Sequence, residues 1–244
     1  MRRRHLLLAA AVAIAQPLQA QGSGDGFLFK QPDVSWEVRG GFDRATAASD
    51  IFSFVTDQLT VKRGDFSSAT LGADFGIRLS ARFDLVLGVA YSGSRTRSEF
   101  RRWVDQDNLP ISQATYFRRV PVTASLKAYL LPRGRSIGRF VWLPLRSAPY
   151  VGVGAGQMWY RFRQAGDFVD FQTLNVFTDD FNASGWTWTA HAFAGVEVSL
   201  SPRFVMTGEG RYTWARGPLG TDFVGFHNID LSGFAMTAGL AARL

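Results

Sequence analysis

The chain has 244 residues, 46% of them hydrophobic, 14% aromatic and 19% charged, with 25 Gly and no Cys. That composition excludes a disordered tail, a collagen-like fibre, a disulfide scaffold and a thiolate metal site. The formal charge of +7 includes three arginines at positions 2 to 4, and without them 24 basic residues face 20 acidic ones. So mild an excess, not gathered on one stripe, argues against a nucleic-acid partner.

Arg2, Arg3 and Arg4 are followed by an unbroken apolar run from Leu6 to Ala15, and Pro17-Leu18-Gln19-Ala20 supplies a small residue before Gln21. A basic start, a short apolar stretch and a small-residue cleavage site are the three parts of a secretory signal peptide. The expected division is a signal peptide at 1–20, a short periplasmic segment at 21–32 and one β-domain at 33–244. A bilayer-crossing helix needs roughly 18 or more consecutive apolar residues, and the remaining sequence holds no such run. Any span must be made of strands.

From Val34 the sequence alternates. Val34, Trp36, Val38, Gly40 and Phe42 share one face, and Ser35, Glu37, Arg39, Gly41 and Asp43 share the other. Successive strand side chains point to opposite sides, so this is a strand with one apolar and one polar face. The same grammar recurs from Ala69 to Leu79, Phe83 to Tyr91, Arg119 to Leu130, Trp186 to Leu200, Phe204 to Trp214 and Phe234 to Leu244. A further strand, Pro149 to Arg163, is blurred by Gly152, Gly154 and Gly156. A bulge near Gly156 would put Val151 and Val153 on one face with Met158, Tyr160 and Phe162. That makes eight strands.

The connections alternate in length. Ser80-Ala81-Arg82 and Ser201-Pro202-Arg203 are short, whereas about 44–67, 95–114, 164–184 and 215–228 are long and polar. Long loops on one rim and short turns on the other are the pattern of an outer-membrane barrel. The fold expected is all-β: an eight-stranded antiparallel up-and-down transmembrane β-barrel, with long loops outside and both termini periplasmic. The exception is the stretch Pro132 to Ser147 on the short-turn rim, with Arg133, Arg135, Arg139 and Arg146 and no acid. It reads equally as a contact for anionic lipid or another envelope component and as a mobile flap.

If the apolar face meets lipid, the other face carries Glu37, Arg39, Asp74, Arg78, Asp84, Lys127, Glu197, Glu209, Arg211 and Arg243, five acids against five bases. An eight-stranded barrel is just wide enough to be filled by side chains, and isolated buried charges are too costly to persist. A balanced internal ion-pair network follows; the alternative is a narrow polar path for ions or small solutes. Tyr91, Tyr160, Trp186, Trp188, Tyr212 and Trp214 fall near the long-loop ends of their strands, where aromatic side chains girdle the headgroup level.

These features resemble the small outer-membrane β-barrel superfamily that includes the OmpA transmembrane domain, OmpX and OmpW: the signal-like start, eight alternating strands, Glu209 and Arg211 before an aromatic strand end, and the closing stretch Leu231 to Leu244. The likeness covers nearly the whole mature chain. It implies a non-enzymatic, integral cell-envelope protein of the Gram-negative outer membrane. It also implies that the last strand is read by the barrel-assembly machinery, although Leu244 stands where that group usually has Phe or Trp.

Two charge clusters suggest contacts. Arg95, Arg97, Arg101 and Arg102, with Arg118 on the return, could pair with lipopolysaccharide phosphates, because the guanidinium fork matches that anion. Asp167, Asp170, Asp179 and Asp180 could share a divalent cation, but their spacing fits no EF-hand. His191 faces the interior and His227 lies in a loop, with no nucleophile and orienting acid at the spacing of a triad. No phosphate loop and no metal motif is present, so no cofactor, metal or catalytic residue is expected. The alternatives to a structural or surface-interaction role are a small channel for hydrophobic or ionic solutes and a soluble, exported lipocalin-like barrel with an apolar interior.

Overall fold

The computed structural model describes residues 26–137 and 140–244. The reading of 1–20 as a signal peptide lies outside the described residues. The strands are β1 (Val34–Ala45), β2 (Ser68–Arg78), β3 (Phe83–Val104), β4 (Pro110–Tyr129), β5 (Gly134–Ile137), β6 (Val141–Pro144), β7 (Ser147–Val169), β8 (Val176–Ser199), β9 (Phe204–Gly217), β10 (Ile229–Asp230) and β11 (Gly233–Arg243). Eight of them form one antiparallel ring, β1-β2-β3-β4-β7-β8-β9-β11, closed by β11 on β1 from Ser35 opposite Arg243 to Ala45 opposite Gly233. Closure removes the free edges that a sheet in hydrocarbon could not leave unpaired.

The faces follow the alternation in the sequence. Val38, Leu71, Val153, Met236 and Leu240 each expose more than 60% of their surface on the outer wall. Contiguous apolar patches on water-soluble monomers seldom exceed a few hundred Å², and a wall of this kind on every side is stable only against lipid. Arg39, Asp74, Asp84, Lys127, Glu197 and Arg243 are buried inside. This arrangement is the reverse of a lipocalin-like barrel in the half of the lumen next to the short turns.

One strand departs from its expected facing. β7 pairs with β4 and β8 without a register shift, so no bulge forms at Gly156. Val151 and Val153 therefore point outward, while Met158, Tyr160 and Phe162 point inward and are buried. The glycines belong to the inner face. A Cβ on Gly152 would stand 2.2 Å from the Phe193 ring, and one on Gly154 would stand 2.5 Å from Ser125 Oγ. They leave room for partners across the barrel rather than kinking the strand.

Two of the expected long loops are strand. β3 and β4 continue to a turn at 105–109, and β7 and β8 to a turn at 170–175. At about 3.3 Å per residue, a strand of 24 residues runs roughly 80 Å, far beyond a hydrocarbon layer about 25 Å tall on a barrel. The surplus rises as a wall around one rim. Within it lies a helix, α1 (Asp50–Gln58), in the stretch read as a polar loop. Ile51, Phe52, Val55 and Leu59 recur at helical spacing and are buried, with Phe52 against Phe66, Phe117 and Phe162 at ring-centroid distances of 4.7, 5.3 and 5.6 Å. Phe117 and Phe162 are cross-strand partners inside the barrel, so the helix stoppers the ring from above.

Among its described residues, the basic insert at 132–147 is a hairpin fastened to the chain before β1 rather than a free flap. β5 and β6 form a hairpin, Trp142 is buried, and its backbone exchanges hydrogen bonds with Leu28 at 2.9 and 2.8 Å. Arg133 turns into the lumen. Both ends of the barrel are thus covered by the chain's own segments.

The ring and its stopper are separable in energy. Phe52→Ala should cost about 3–5 kcal/mol of crown packing. Limited proteolysis is expected to cut the variant within 46–67 while the heat-dependent shift of the folded band on an SDS gel persists. Loss of that shift together with the crown would show the two to be one cooperative unit.

Candidate functional site

The lumen has two storeys. The lower one, nearer the short turns, is built on Glu197 of β8. Its Oε1 accepts hydrogen bonds from Lys127 Nζ at 2.6 Å and from the Tyr129 hydroxyl at 2.6 Å, and its Oε2 accepts one from Arg243 Nη2 at 2.7 Å. The Tyr129 hydroxyl also lies 3.2 Å from Asp84, which Arg133 grips with two bonds of 2.8 and 3.0 Å. Lys127 Nζ stands 3.8 Å above the Tyr150 ring, and the Tyr150 hydroxyl donates to Glu209 at 3.1 Å. Arg211 pairs with Glu209 at 2.9 Å, and Arg39 with Asp74 at 2.6 Å. Glu37 accepts from Thr207 at 2.5 Å.

Nine of the ten charged residues expected inside thus lie in this storey, with Arg39–Asp74 and Glu37–Thr207 as pairs beside the Glu197 network. Arg78 does not: it lies at the short-turn rim and pairs with Asp33 just before β1. The last residues of a strand emerge from the ring whatever their parity, and this one finds its partner there. Two cations join the interior that alternation had not marked as part of the network. Arg133 sits outside the eight strands, where a two-residue period has no say. Arg119, buried higher up, pairs with Asp43 at 3.0 Å and donates to the carbonyls of Leu231 and Ser232 at 3.0 and 3.3 Å. Its inward parity was legible, but Asp43 was not read as its partner.

The space left among these charges is about 30 Å³, room for about two or three water molecules. His191 is buried in the lumen, with Nε2 at 2.9 Å from the Ser125 hydroxyl and 3.5 Å from Arg211.

The upper storey is apolar, formed by the α1 residues, Phe117, Met158, Tyr160, Phe162, Phe223 and Leu231. Tyr160 is therefore not part of an aromatic girdle: it is fully buried and its hydroxyl donates to the carbonyl of Pro218. Tyr91, Trp186, Trp188 and Trp214 are exposed on the outer wall, and Tyr212 packs on Trp214 at 4.8 Å. Trp159, opposite Trp186 in the β7–β8 pairing, lies on the same face.

Just above these rings the outer face becomes basic. Arg95 on β3 lies opposite Tyr116, and Arg118 on β4 lies between Gly93 and Arg161. Arg97 is two residues beyond Arg95 on the same face, and Arg163 two beyond Arg161. Arg95 and Arg163 both lie 5.3 Å from the Tyr116 ring, and Arg163 also pairs with Asp180 at 2.6 Å. The structure thus brings Arg95, Arg97 and Arg118 together and adds Arg161 and Arg163. Arg101 and Arg102 stand apart at the top of the β3–β4 hairpin, where Arg101 donates to the Val61 carbonyl at 3.4 Å. The expected bulge had hidden Arg161 and Arg163; continuous alternation from Trp159 places both outside.

The aspartates at 167–180 are engaged separately. Asp180 binds Arg163, Asp167 accepts from Thr178 at 2.6 Å, and Asp170 accepts from the backbone of Gln172 at 2.8 Å and the hydroxyl of Thr173 at 2.8 Å. On the crown, Asp50 at the start of α1 accepts the backbone N–H of His227 at 2.9 Å and lies 2.8 Å from its ring Nδ1. The His227 backbone N–H is the main influence holding the Asp50 carboxyl below its usual range.

No protein-family model matches the sequence, and no curated protein matches it significantly. Among solved structures the chain is similar to Neisserial surface protein A, at 13% identity and TM-score 0.44 over 90% of this chain and 98% of that one. It is also similar to the outer membrane protein OprG from Pseudomonas aeruginosa, at 13% identity and TM-score 0.47 over 89% and 99%. A third is the N-terminal beta-barrel domain of OprF from the same organism, at 11% identity and TM-score 0.37 over 88% and 98%. The assignment of an eight-stranded barrel rests on the pairing registers of this chain.

Two outcomes test the site. Glu197→Ala strands Lys127 and Arg243, and removing one partner of a buried pair typically costs about 3–5 kcal/mol. The urea midpoint of the variant should fall, whereas Lys127→Met combined with Glu197→Leu should recover part of the loss. For Asp50 the depressed folded pKa means that its stabilisation is present above the unfolded carboxylate range and is lost as pH falls through the folded value. Hydrogen-exchange protection at 221–228 should therefore fall on acidification, and Asp50→Asn should remove that dependence.

Proposed function

We propose that the protein is a non-enzymatic, integral outer-membrane β-barrel that is closed to solutes, seats itself on lipopolysaccharide phosphates, and presents its crown outside the cell. The observation that carries this reading is the outward row Arg95, Arg97, Arg118, Arg161 and Arg163, directly above the Trp159 and Trp186 rings. Trp and Tyr rings settle at headgroup depth. Guanidinium groups one or two residues higher stand where the phosphates of an outer-leaflet glycolipid lie, and their planar forks match that anion. On this reading the long hairpins are outside, the β5–β6 hairpin is periplasmic, and β11 is the strand handed to the assembly machinery.

A structural and surface-interaction role is favoured over a channel because the lower storey leaves about 30 Å³ and α1 stoppers the upper one. A catalytic role has less support. His191 is buried against Ser125 and Arg211.

The test is retention of lipopolysaccharide on the purified barrel, measured as bound phosphate per protein. Arg118→Gln with Arg161→Gln should lower it several-fold, while Arg101→Gln with Arg102→Gln should change it little. Equal retention in both double variants would remove the basis of the proposal. Planar-bilayer recordings of the unaltered protein are expected to show no steady conductance.

A further inference from the structure

Two arginines of the outer row stand face to face. Arg118 of β4 and Arg161 of β7 are directly opposite in the pairing register, where facing Cβ atoms lie about 5 Å apart and like charges repel. The acid of the adjoining strand is already committed, because Asp180 of β8 gives both oxygens to Arg163 at 2.6 Å each. The Nε of Arg161 is buried and has no hydrogen-bond partner. A buried donor left unpaired is costly, and native structures seldom leave one without a reason.

On the other side of Arg118 stands Gly93 of β3. A Cβ there would lie 2.7 Å from the Tyr91 hydroxyl and 3.3 Å from Arg118 Cγ, so the missing side chain lets a phenol hydroxyl stand beside the pair. Below, the Arg161 guanidinium lies 5.8 Å from the Trp159 ring. The place is rich in donors and positive charge and short of an acceptor.

Two guanidinium forks and a hydroxyl suit an anion with several free oxygens and more than one charge. A phosphate monoester has three strong acceptor oxygens and approaches two negative charges above its second pKa of about 6. A diester lacks one of those oxygens and the second charge. The geometry points to Arg118 and Arg161 as a site that selects a lipid-borne phosphomonoester over a phosphodiester. This inference rests on the reading that the row seats on lipopolysaccharide phosphates, and it names the kind of phosphate the seat takes. The occupant is a lipid rather than the free ion because Trp159 marks headgroup depth, and acyl chains below it meet the exposed wall at Val122 and Val153. A lipid phosphate capped as a diester is held less firmly.

The experiment reconstitutes the mature barrel in phosphatidylcholine bilayers and compares, by electron paramagnetic resonance, the association of chain-labelled phosphatidic acid, a monoester, with that of phosphatidylglycerol, a diester. At about pH 8.5 phosphatidic acid should associate several-fold more strongly, and at about pH 5, below the second ionisation, the ratio should fall towards one. Arg118→Gln with Arg161→Gln should bring the ratio near one at the higher pH, while Arg95→Gln with Arg97→Gln should leave a several-fold preference. Excess inorganic phosphate should not displace the labelled lipid; full displacement would make this a site for the free ion and overturn the lipid assignment. Equal association of the two lipids with the unaltered protein at the higher pH, or a preference that survives the Arg118 and Arg161 substitutions, would overturn the proposal. Neither result decides the seat itself, which is read separately by lipopolysaccharide retention.

Discussion

Glu197 holds three buried donors at once, Lys127, Tyr129 and Arg243, and the closed ring makes such sharing obligatory. Once eight strands turn their apolar side chains to lipid, every alternate side chain goes into a lumen with no room for bulk water. Charges placed there must neutralise one another or be expelled. Six acids, Glu37, Asp43, Asp74, Asp84, Glu197 and Glu209, face six bases, Arg39, Arg119, Lys127, Arg133, Arg211 and Arg243. Arg133 arrives from outside the ring to meet Asp84. Its hairpin is thus part of the electrostatic closure, which gives a physical reason for the insert on the rim of short turns.

Burying ions is expensive even when they are paired, and the upper half of the lumen avoids that cost. Above Arg119 the inner face changes from charged to aromatic, with Phe117, Tyr160 and Phe162 on neighbouring strands. These rings need an apolar partner, and α1 brings Ile51, Phe52 and Val55 into the mouth. The extended strands serve the same end: by rising beyond the hydrocarbon layer they form the wall against which a nine-residue helix packs. A helix that short has little stability alone.

Much of this was legible in the residues. The alternation from Trp36 to Phe42 or from Phe234 to Leu244 set strand and facing together, because a two-residue period leaves no third choice. Tyr160 was assigned to the wrong face because Gly152, Gly154 and Gly156 carry no side chains to read, and a bulge was as consistent with them as a plain strand. That error also concealed Arg161 and Arg163. The pairing of Arg133 with Asp84 spans 49 residues and leaves no periodic trace. The helix did leave one, at Ile51, Phe52, Val55 and Leu59, but it lay between polar residues in a stretch whose length suggested a loop.

On the proposed reading, the division into storeys leaves recognition to the rim and the outer wall. A lattice in which each carboxylate is held by named donors cannot reorganise without stranding a charge, which favours a single arrangement of the lower storey. The crown is less constrained. Its contacts are dispersion and ring packing, which tolerate rearrangement better than buried ion pairs do. The outer arginine row is likewise free of the lumen's demands, because its residues point away from the ring. Variation in the crown or the row would leave the lattice at Glu197 undisturbed. On the proposed reading stability and recognition are carried by different layers, and the alternation that separates the strand faces is what keeps lumen and wall independent.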